Sequence, residues 1–234
     1  MYPYPSAEDY ELGRARLVNC NQCEIGEKQY STGLKMGGDL STKSGRLANA
    51  RILEVLKDIT DDELIDDPKT GEVFIKRYAQ NVARPEGTNQ IRQLTRPQTN
   101  QVTVTLVSSG NGTNPTNDKG VPISAENLVP GTSYNASVML SLQPANSVNV
   151  DGTRGGIPNF IVASHELSHA SLYLSGNWVL GNISMYDHDR NVMDPAFDYT
   201  ELYTRMHENI IRRENGITFR AFPIPIYPFP ISTR

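Results

Sequence analysis

Two histidines and one glutamate stand at a spacing that is typical of metal-dependent hydrolysis. His165, Glu166 and His169 form an H-E-x-x-H pattern. On an α-helix, residues four apart lie one above the other on the same face, so both imidazoles can bind one metal ion. Glu166 then points toward the open side of the metal, where its carboxylate can take a proton from bound water. The pattern predicts a site for one catalytic zinc ion.

The surrounding stretch, residues 158–176, predicts the helix that this spacing requires. Pro158 suits a first helical turn, and Gly176 suits a helix end. Apolar side chains cover most sides of the helix, as expected of a buried one: Ile161, Val162, Leu167, Leu172 and Leu174. The alternative is a buried helix whose histidines are hydrogen-bonded to backbone or carboxylate groups without a metal.

Catalytic zinc typically takes three protein ligands and a water, so the histidine pair needs a third partner. The metzincin extension would place Gly at position 172 and His at position 175, and Leu172 and Ser175 exclude it. Two downstream histidines are available, His188 in a predicted loop and His207 within the last predicted helix. Both are also explained as ordinary polar residues without a ligand role.

A carboxylate from the last predicted helix is the other source of a third ligand, as in the two-histidine, one-glutamate set of thermolysin. We expect Glu201 to be this ligand, 32 residues after His169. Glu208 lies on nearly the same helical face, and Glu208 and Asp198 are the alternatives. A carboxylate that does not bind the metal can pair with an arginine or orient a ligating histidine.

Composition restricts the classes of partner. The chain has 234 residues, enough for one well-buried core, with 38% hydrophobic residues and a net charge of −4. This charge gives no sign of a nucleic-acid or anionic-membrane surface. The mean hydropathy is −0.45, and no apolar run approaches the roughly 20 residues of a membrane span. The N-terminal residues do not resemble a cleavable secretory signal.

We expect two parts in the chain: a flexible N-terminal segment at residues 1–43 and a catalytic domain at residues 44–234. The first segment lacks sustained hydrophobic periodicity, apart from a short predicted strand near Arg16–Cys20. Cys20 and Cys23 form a C-x-x-C without a second cysteine pair, so we interpret them as incidental thiols.

The pattern of apolar residues predicts an α+β domain with a small, mostly antiparallel sheet. A first amphipathic helix is expected at residues 45–60, and strands are expected at 72–79, 101–109 and Asn135–Leu142. The last of these fits an antiparallel edge strand, which could bind an extended peptide by strand addition or could be an ordinary half-buried strand.

The remaining segments are predicted to be loops, except for a final helix. Residues 83–100, 110–120 and 177–197 are rich in turn-forming and polar residues. The final helix is expected at Tyr199–Asn215, with Leu202, Met206 and Ile210 facing the core. A proline-rich tail follows it and cannot be helical.

The second half of the chain resembles the NleD-like zinc metallopeptidase effectors, which bacterial pathogens of animals and plants inject into host cells by type III secretion. The resemblance covers about Asn149–Arg220. It is carried by the block around H-E-x-x-H, by the TELYT segment at 200–204 and by the run at 208–220. The specific positions of that run are Glu208, Asn209, Arg212, Glu214 and Gly216.

The resemblance implies a zincin-like metallopeptidase domain, with H-E-x-x-H on an active-site helix and Glu201 completing the zinc site from a C-terminal helix. It implies a zinc endopeptidase whose substrates are host signalling proteins, as members of the family cut MAP kinases in the activation loop. Arg220 and Tyr227 are the residues that we expect to stabilise the transition state. The chain departs from the family in having Leu202 at an expected acidic position and no tyrosine at 221–223.

Three functions follow as hypotheses. The first is a protease that reaches the host cytoplasm through the type III secretion machinery, without a cleavable signal peptide, and cuts a host protein to suppress defence. The second is a bacterial housekeeping zinc peptidase. The third is a catalytically silent module that binds a host protein. The intact Glu166 argues against the third, because a silent domain would be free to lose its general base.

Overall fold

The computed structural model describes residues 32–178 and 181–225, which form an α+β fold. Four α-helices occur in this part of the chain: α1 (Lys43–Ile59), α2 (Pro85–Leu94), α3 (Asn159–Ser175) and α4 (Tyr199–Glu214). The strands are β1 (Leu34–Met36), β2 (Glu63–Asp66), β3 (Val73–Arg77), β4 (Val102–Val107), β5 (Gly112–Thr116), β6 (Asn135–Ser141), β7 (Ala145–Val148), β8 (Arg154–Ile157), β9 (Asn182–Asp187), β10 (Val192–Asp198) and β11 (Ile224–Pro225). The six helices and strands predicted from the sequence are confirmed, as α1, α3, α4, β3, β4 and β6.

The largest sheet has the strand order β1-β4-β6-β5. Strand β4 runs parallel to both β1 and β6, whereas β5 runs antiparallel to β6. The expectation of a mostly antiparallel sheet is therefore wrong for this sheet, although the smaller β2-β3, β7-β8 and β10-β9-β11 sheets are antiparallel. Alternating apolar residues identify a strand but do not specify the direction of its neighbours, which depends on distant connections.

The sheet has its edges at β1 and β5, and β6 is an interior strand. The interpretation of β6 as an antiparallel edge strand is therefore wrong, and the alternative of an ordinary strand holds. Strand β6 lies between β4 and β5, with Val104 opposite Val138 in the register of β4 with β6. The residues of β5 have the sequence GTNPT, which lacks the apolar alternation of a strand and falls in the predicted loop at 110–120. Short polar strands that contain proline are typical of sheet edges, because proline cannot donate a ladder hydrogen bond.

A single main core joins helices α1 and α3 to this sheet. It contains Ile52 and Leu56 of α1, Val104 of β4, Leu140 of β6 and Leu167 of α3. Burying each of these side chains favours folding by about 1.5–3 kcal/mol. Helix α1 begins where the Thr42 side chain accepts a hydrogen bond from the Gly45 N–H. The sheet and α1 therefore form the support for α3.

The folded part of the chain begins before the predicted boundary at residue 43. Strand β1 lies inside the segment that we expected to be flexible, and Leu34 and Met36 are fully buried against the core. Three residues are too short a run to show periodicity, which is why the sequence did not indicate this strand. Residues 1–31, with Cys20, Cys23 and the strand predicted near Arg16–Cys20, lie outside the described residues.

Two further predicted loops contain regular structure. Helix α2 occupies part of residues 83–100, beginning at Pro85 and burying Ile91 and Leu94. Residues 177–197 contain most of the β9–β10 hairpin, in which Met185 and Phe197 are the buried apolar side chains. Residues 83–100 have few apolar residues, and in residues 177–197 polar and turn-forming residues interrupt the apolar ones, so neither segment shows a clear periodicity. Among the described residues, no helix combines the length and apolar character needed to cross a membrane.

Candidate metal centre

Helix α3 holds the two histidines on a rigid support. It ends at Gly176, which has a positive φ of 70° and donates its N–H to carbonyls of the preceding turn. Leu167 and Ala170 bury one face of the helix in the main core. His165 and His169 lie on another face, with their ring centroids 5.1 Å apart. The predicted helix and the predicted pairing of its imidazoles are thus present.

Helix α4 brings Glu201 to these imidazoles. Its first turn is fixed by Asp198, whose side chain accepts a hydrogen bond from the Thr200 N–H. Glu201 Oε2 lies 3.2 Å from His165 Nε2 and 3.2 Å from His169 Nε2. One ligand atom of each residue lies within 4.8 Å of the others. The three residues can therefore hold a metal ion.

The spacing of these atoms fits a small tetrahedral ion. Ligand bonds of about 2.0–2.1 Å place the ligand atoms of a tetrahedral site about 3.3 Å apart, close to the 3.2 Å that separates Glu201 Oε2 from each imidazole nitrogen. Of the candidate third ligands, Glu201 belongs to this group, whereas Glu208 and Asp198 do not. Asp198 instead caps α4.

Glu208 orients His165 by contacting the side of its ring that faces away from Glu201. Its Oε2 lies 3.0 Å from His165 Nδ1, the nitrogen on the opposite side of the ring from Glu201. This contact fixes which ring nitrogen faces the metal position, as carboxylates behind ligating histidines commonly do. Arg212 and Arg220 donate to the two oxygens of Glu208, at 2.7 and 2.9 Å. Glu208 is therefore a supporting carboxylate.

Burial and pairing act in opposite directions on the pKa values of these groups. Burial alone would lower the pKa of His165, but hydrogen bonds with Glu201 and Glu208 raise it to about 9. Burial would raise the pKa of Glu208, yet its hydrogen bond with His165 and the charge of Arg220 lower it to about 2. The pKa of Glu201 is likewise held below its ordinary value, chiefly by hydrogen bonds with the two histidines.

Arg220 contacts Glu208 and Asp189, and its expected role in stabilising the transition state stays a prediction. Its Nη1 donates to Glu208 and its Nε donates to Asp189 at 2.7 Å. The Asn209 side chain holds the backbone of Arg220 through two hydrogen bonds of 2.7 and 3.0 Å. Arg220 therefore acts as a support for Glu208. Tyr227, the other expected residue, lies outside the described residues.

The end of β9 and the turn that follows it supply two carboxylates whose roles the sequence did not indicate. Asp189 pairs with Arg220 and accepts a hydrogen bond of 2.7 Å from the Val148 N–H. Asp187 is buried and lies 3.4 Å from Arg205, which donates to Glu201 at 2.6 Å. Acidic residues flank His188 in the sequence, and this is the only local signal that could have marked them.

Helix α4 buries a polar face and exposes an apolar one, the reverse of the prediction. Met206 is 53% exposed, so it does not face the core, and Leu202 and Ile210 are only partly buried. The buried side chains are mostly polar or charged: Thr200, Thr204, Arg205, Glu208, Ile211 and Arg212. Periodicity alone assigns apolar residues to the core, whereas the buried face of α4 contacts the candidate metal-binding group.

The two other histidines serve different purposes. His207 lies 2.8 Å from Ser168 on α3 and 2.8 Å from Glu86 on α2. It therefore links α4 to helices α2 and α3. His188 is partly buried and its ring packs edge-on against Tyr186, with centroids 5.0 Å apart. Neither histidine belongs to the metal-binding group found among the described residues.

Glu166 stands apart from the three ligands. It is 8% exposed, and its carboxylate is hydrogen-bonded by the hydroxyl of Thr113 on β5, at 2.8 Å. It is not a member of the metal-binding group. The arrangement therefore provides three convergent ligands and a separate carboxylate adjacent in sequence to the first of them.

Comparison with protein-family models, curated proteins and solved structures finds no match for this chain.

Proposed function

We propose that this protein is a zinc-dependent endopeptidase. One observation carries the proposal: His165, His169 and Glu201 converge from two helices at distances that fit a tetrahedral ion, while Glu166 remains outside the ligand group. Two imidazoles and one carboxylate are a ligand set of catalytic zinc, which keeps a position for water or substrate. A structural zinc site would instead use four protein ligands.

The roles of the residues follow from this arrangement. When bound, zinc supplies a Lewis acid that polarises a peptide carbonyl and lowers the pKa of water. Glu166 takes a proton from the attacking water and returns it to the nitrogen of the leaving amine. Glu208 keeps His165 in the tautomer that presents Nε2, and Arg205 keeps Glu201 ionised and aligned.

The outer edge of β5 at Thr113 supports an extended peptide as the substrate. The Ile123 N–H donates to the Pro115 carbonyl at 2.9 Å on the side of β5 that faces away from β6. Because strand backbone groups alternate in direction, the N–H and C=O of Thr113 point outward on the same side. A peptide that pairs with Thr113 would lie beside Glu166, whose carboxylate contacts the Thr113 side chain.

The biological setting that we propose is that of an effector injected into a host cell by type III secretion. There it would cleave a host signalling protein such as a MAP kinase, in the host cytoplasm. The resemblance of the chain to the NleD-like effectors supports this assignment. Four residues of the resembling run also make specific contacts within the protein. Glu208 contacts His165, Asn209 holds Arg220, Arg212 contacts Glu208, and Glu214 bonds the backbone of α2.

Two incubations test the activity and its setting separately. Zinc-loaded protein should cleave a quenched fluorescent peptide library, and chelation should abolish cleavage until zinc is restored. Incubation with host-cell lysate should then produce new protein N-termini only in the zinc-loaded sample. Absence of zinc-dependent cleavage in both would overturn the proposal, and cleavage of peptides without any host substrate would favour a housekeeping peptidase.

A further inference from the structure

The general base is held by a residue of the sheet edge and not by its own helix. The Thr113 hydroxyl lies 2.8 Å from Glu166 Oε2 and 2.9 Å from the Glu166 backbone carbonyl. Thr113 lies on β5 and pairs with Val138 of β6, which is fully buried. The backbone of the main sheet therefore fixes the position of the hydroxyl, which contacts Glu166 on α3.

The Thr113 hydroxyl has one proton, and its two acceptors are Glu166 Oε2 at 2.8 Å and the Glu166 carbonyl at 2.9 Å. The ionised carboxylate is the stronger acceptor of the two, so we assign the proton to Oε2. Within residues 32–178 and 181–225, no second side chain or backbone group bonds either carboxylate oxygen of Glu166. A glutamate has three rotatable side-chain bonds, so a single bond to a rigid donor strongly reduces its freedom. The bond occupies Oε2 and leaves Oε1 available to a water molecule.

We propose that Thr113 is a positioning residue for the reaction, which sets the direction of the Glu166 carboxylate through its hydroxyl. The inference rests on the proposed peptidase function. Thr113 acts through Glu166, and its own backbone lies at the edge where an extended substrate would pair. The backbone of Thr113 would thus pair with the substrate while its hydroxyl positions the Glu166 carboxylate.

Two substitutions at this position separate the hydroxyl from the shape of the side chain. Thr113→Val keeps the β-branched form that suits a strand but removes the hydroxyl. Thr113→Ser keeps the hydroxyl and removes the methyl group. The backbone that faces the substrate is the same in both, so KM should change little.

The test measures kcat and KM for the peptide that wild-type protein cleaves fastest in the quenched library, with zinc content and thermal unfolding recorded for each variant. A hydrogen bond to a charged group is worth enough that Thr113→Val should lower kcat on the order of 10- to 100-fold. Thr113→Ser should recover most of the rate. Zinc content should equal that of the wild type in both.

The outcomes distinguish this inference from the function on which it rests. If wild-type protein shows no zinc-dependent cleavage, the proposed function fails first. If wild-type protein is active and Thr113→Val keeps its kcat, the positioning role alone is wrong. A Thr113→Val variant with unchanged kcat but raised KM, or a Thr113→Ser variant as slow as Thr113→Val, would also contradict it.

Discussion

At the scale of residues, the centre is a set of buried charges that neutralise one another. Glu201 and Glu208 face three arginines, Arg205, Arg212 and Arg220, and the hairpin carboxylates complete the set. A buried charge is tolerated only when it is paired and hydrogen-bonded. Removal of one member would therefore leave a buried charge without its partner. Each carboxylate can be tested by its own substitution.

Matched glutamine substitutions should distinguish Glu201, the proposed ligand, from Glu208, which supports His165. Glu201→Gln removes the negative ligand atom and should abolish stable zinc binding. Glu208→Gln retains an oxygen that can accept from His165 Nδ1, so zinc affinity should fall only by about 10- to 100-fold. Competition with a chromogenic chelator measures both affinities. Equal losses in the two variants would show that Glu208 also binds the metal.

Acid should destabilise the metal-free protein through Glu208. Hydrogen bonding to His165 and the charge of Arg220 outweigh burial and lower the pKa of Glu208 to about 2, from an ordinary value of 4.5. Its ionised form therefore stabilises the fold above pH 4.5. That contribution is lost as pH falls from 4.5 through 2, because the unfolded state binds the proton more readily. Urea unfolding from pH 6 to pH 2 should show this decline, and Glu208→Gln should reduce it. An identical decline in the variant would assign the acid sensitivity elsewhere.

At the scale of elements, helix α2 depends on contacts from distant parts of the chain. Its first N–H groups, those of Glu86 and Gly87, donate to the Glu214 carboxylate at 2.7 and 3.2 Å. A Cβ added at Gly87 would lie only 2.3 Å from the Ile59 carbonyl oxygen of α1. The glycine that weakens the helical signal in the sequence is thus required by the packing of α2 on α1.

Gly87→Ala should therefore destabilise the protein, although alanine favours an isolated helix by about 1 kcal/mol over glycine. The expected net loss is about 1–3 kcal/mol, because α2 must shift away from the end of α1. Gly156→Ala is the matched control, since nothing lies within 4 Å of an added Cβ there. Chemical denaturation measures both variants. A Gly87→Ala protein as stable as the control would contradict this packing.

Features of the site that depend on local contacts could be predicted from the sequence, whereas features that depend on distant contacts could not. The spacing of His165 and His169 depends on one helix, so it could be predicted. Glu201 could be ranked first because it lies at the start of a helix that the pattern also predicts. Thr113, Asp187 and Asp189 reach the centre only through the folded sheet and hairpin, and no local period marks them.

At the scale of the whole molecule, the centre lies where helices α3 and α4 meet, with the β9–β10 turn behind it and β5 beside it. The main core stabilises α3 and the sheet, whereas α4 contributes mostly polar and charged residues to the interior. A helix with a polar buried face gains little from apolar burial. Metal binding should therefore contribute to holding α4 in place.

Zinc should accordingly raise the thermal stability of the whole protein. Free zinc at 100 times its dissociation constant stabilises a folded protein by about 2.7 kcal/mol, which corresponds to roughly 5–10 °C for a domain of this size. Differential scanning calorimetry of chelated and zinc-loaded protein measures the shift. His165→Ala should show no shift. An equal shift in that variant would place the stabilising zinc elsewhere.

The central claim is that the ligands and the general base are separate groups, and Glu166→Gln tests it most directly. Zinc content and peptide cleavage are measured on the same preparations of wild-type and variant protein. The variant should bind one zinc ion per chain, as the wild type should, and cleavage should fall on the order of 10²- to 10⁴-fold. Near-normal cleavage would mean that the chemistry lies elsewhere, and loss of zinc would mean that Glu166 is itself a ligand.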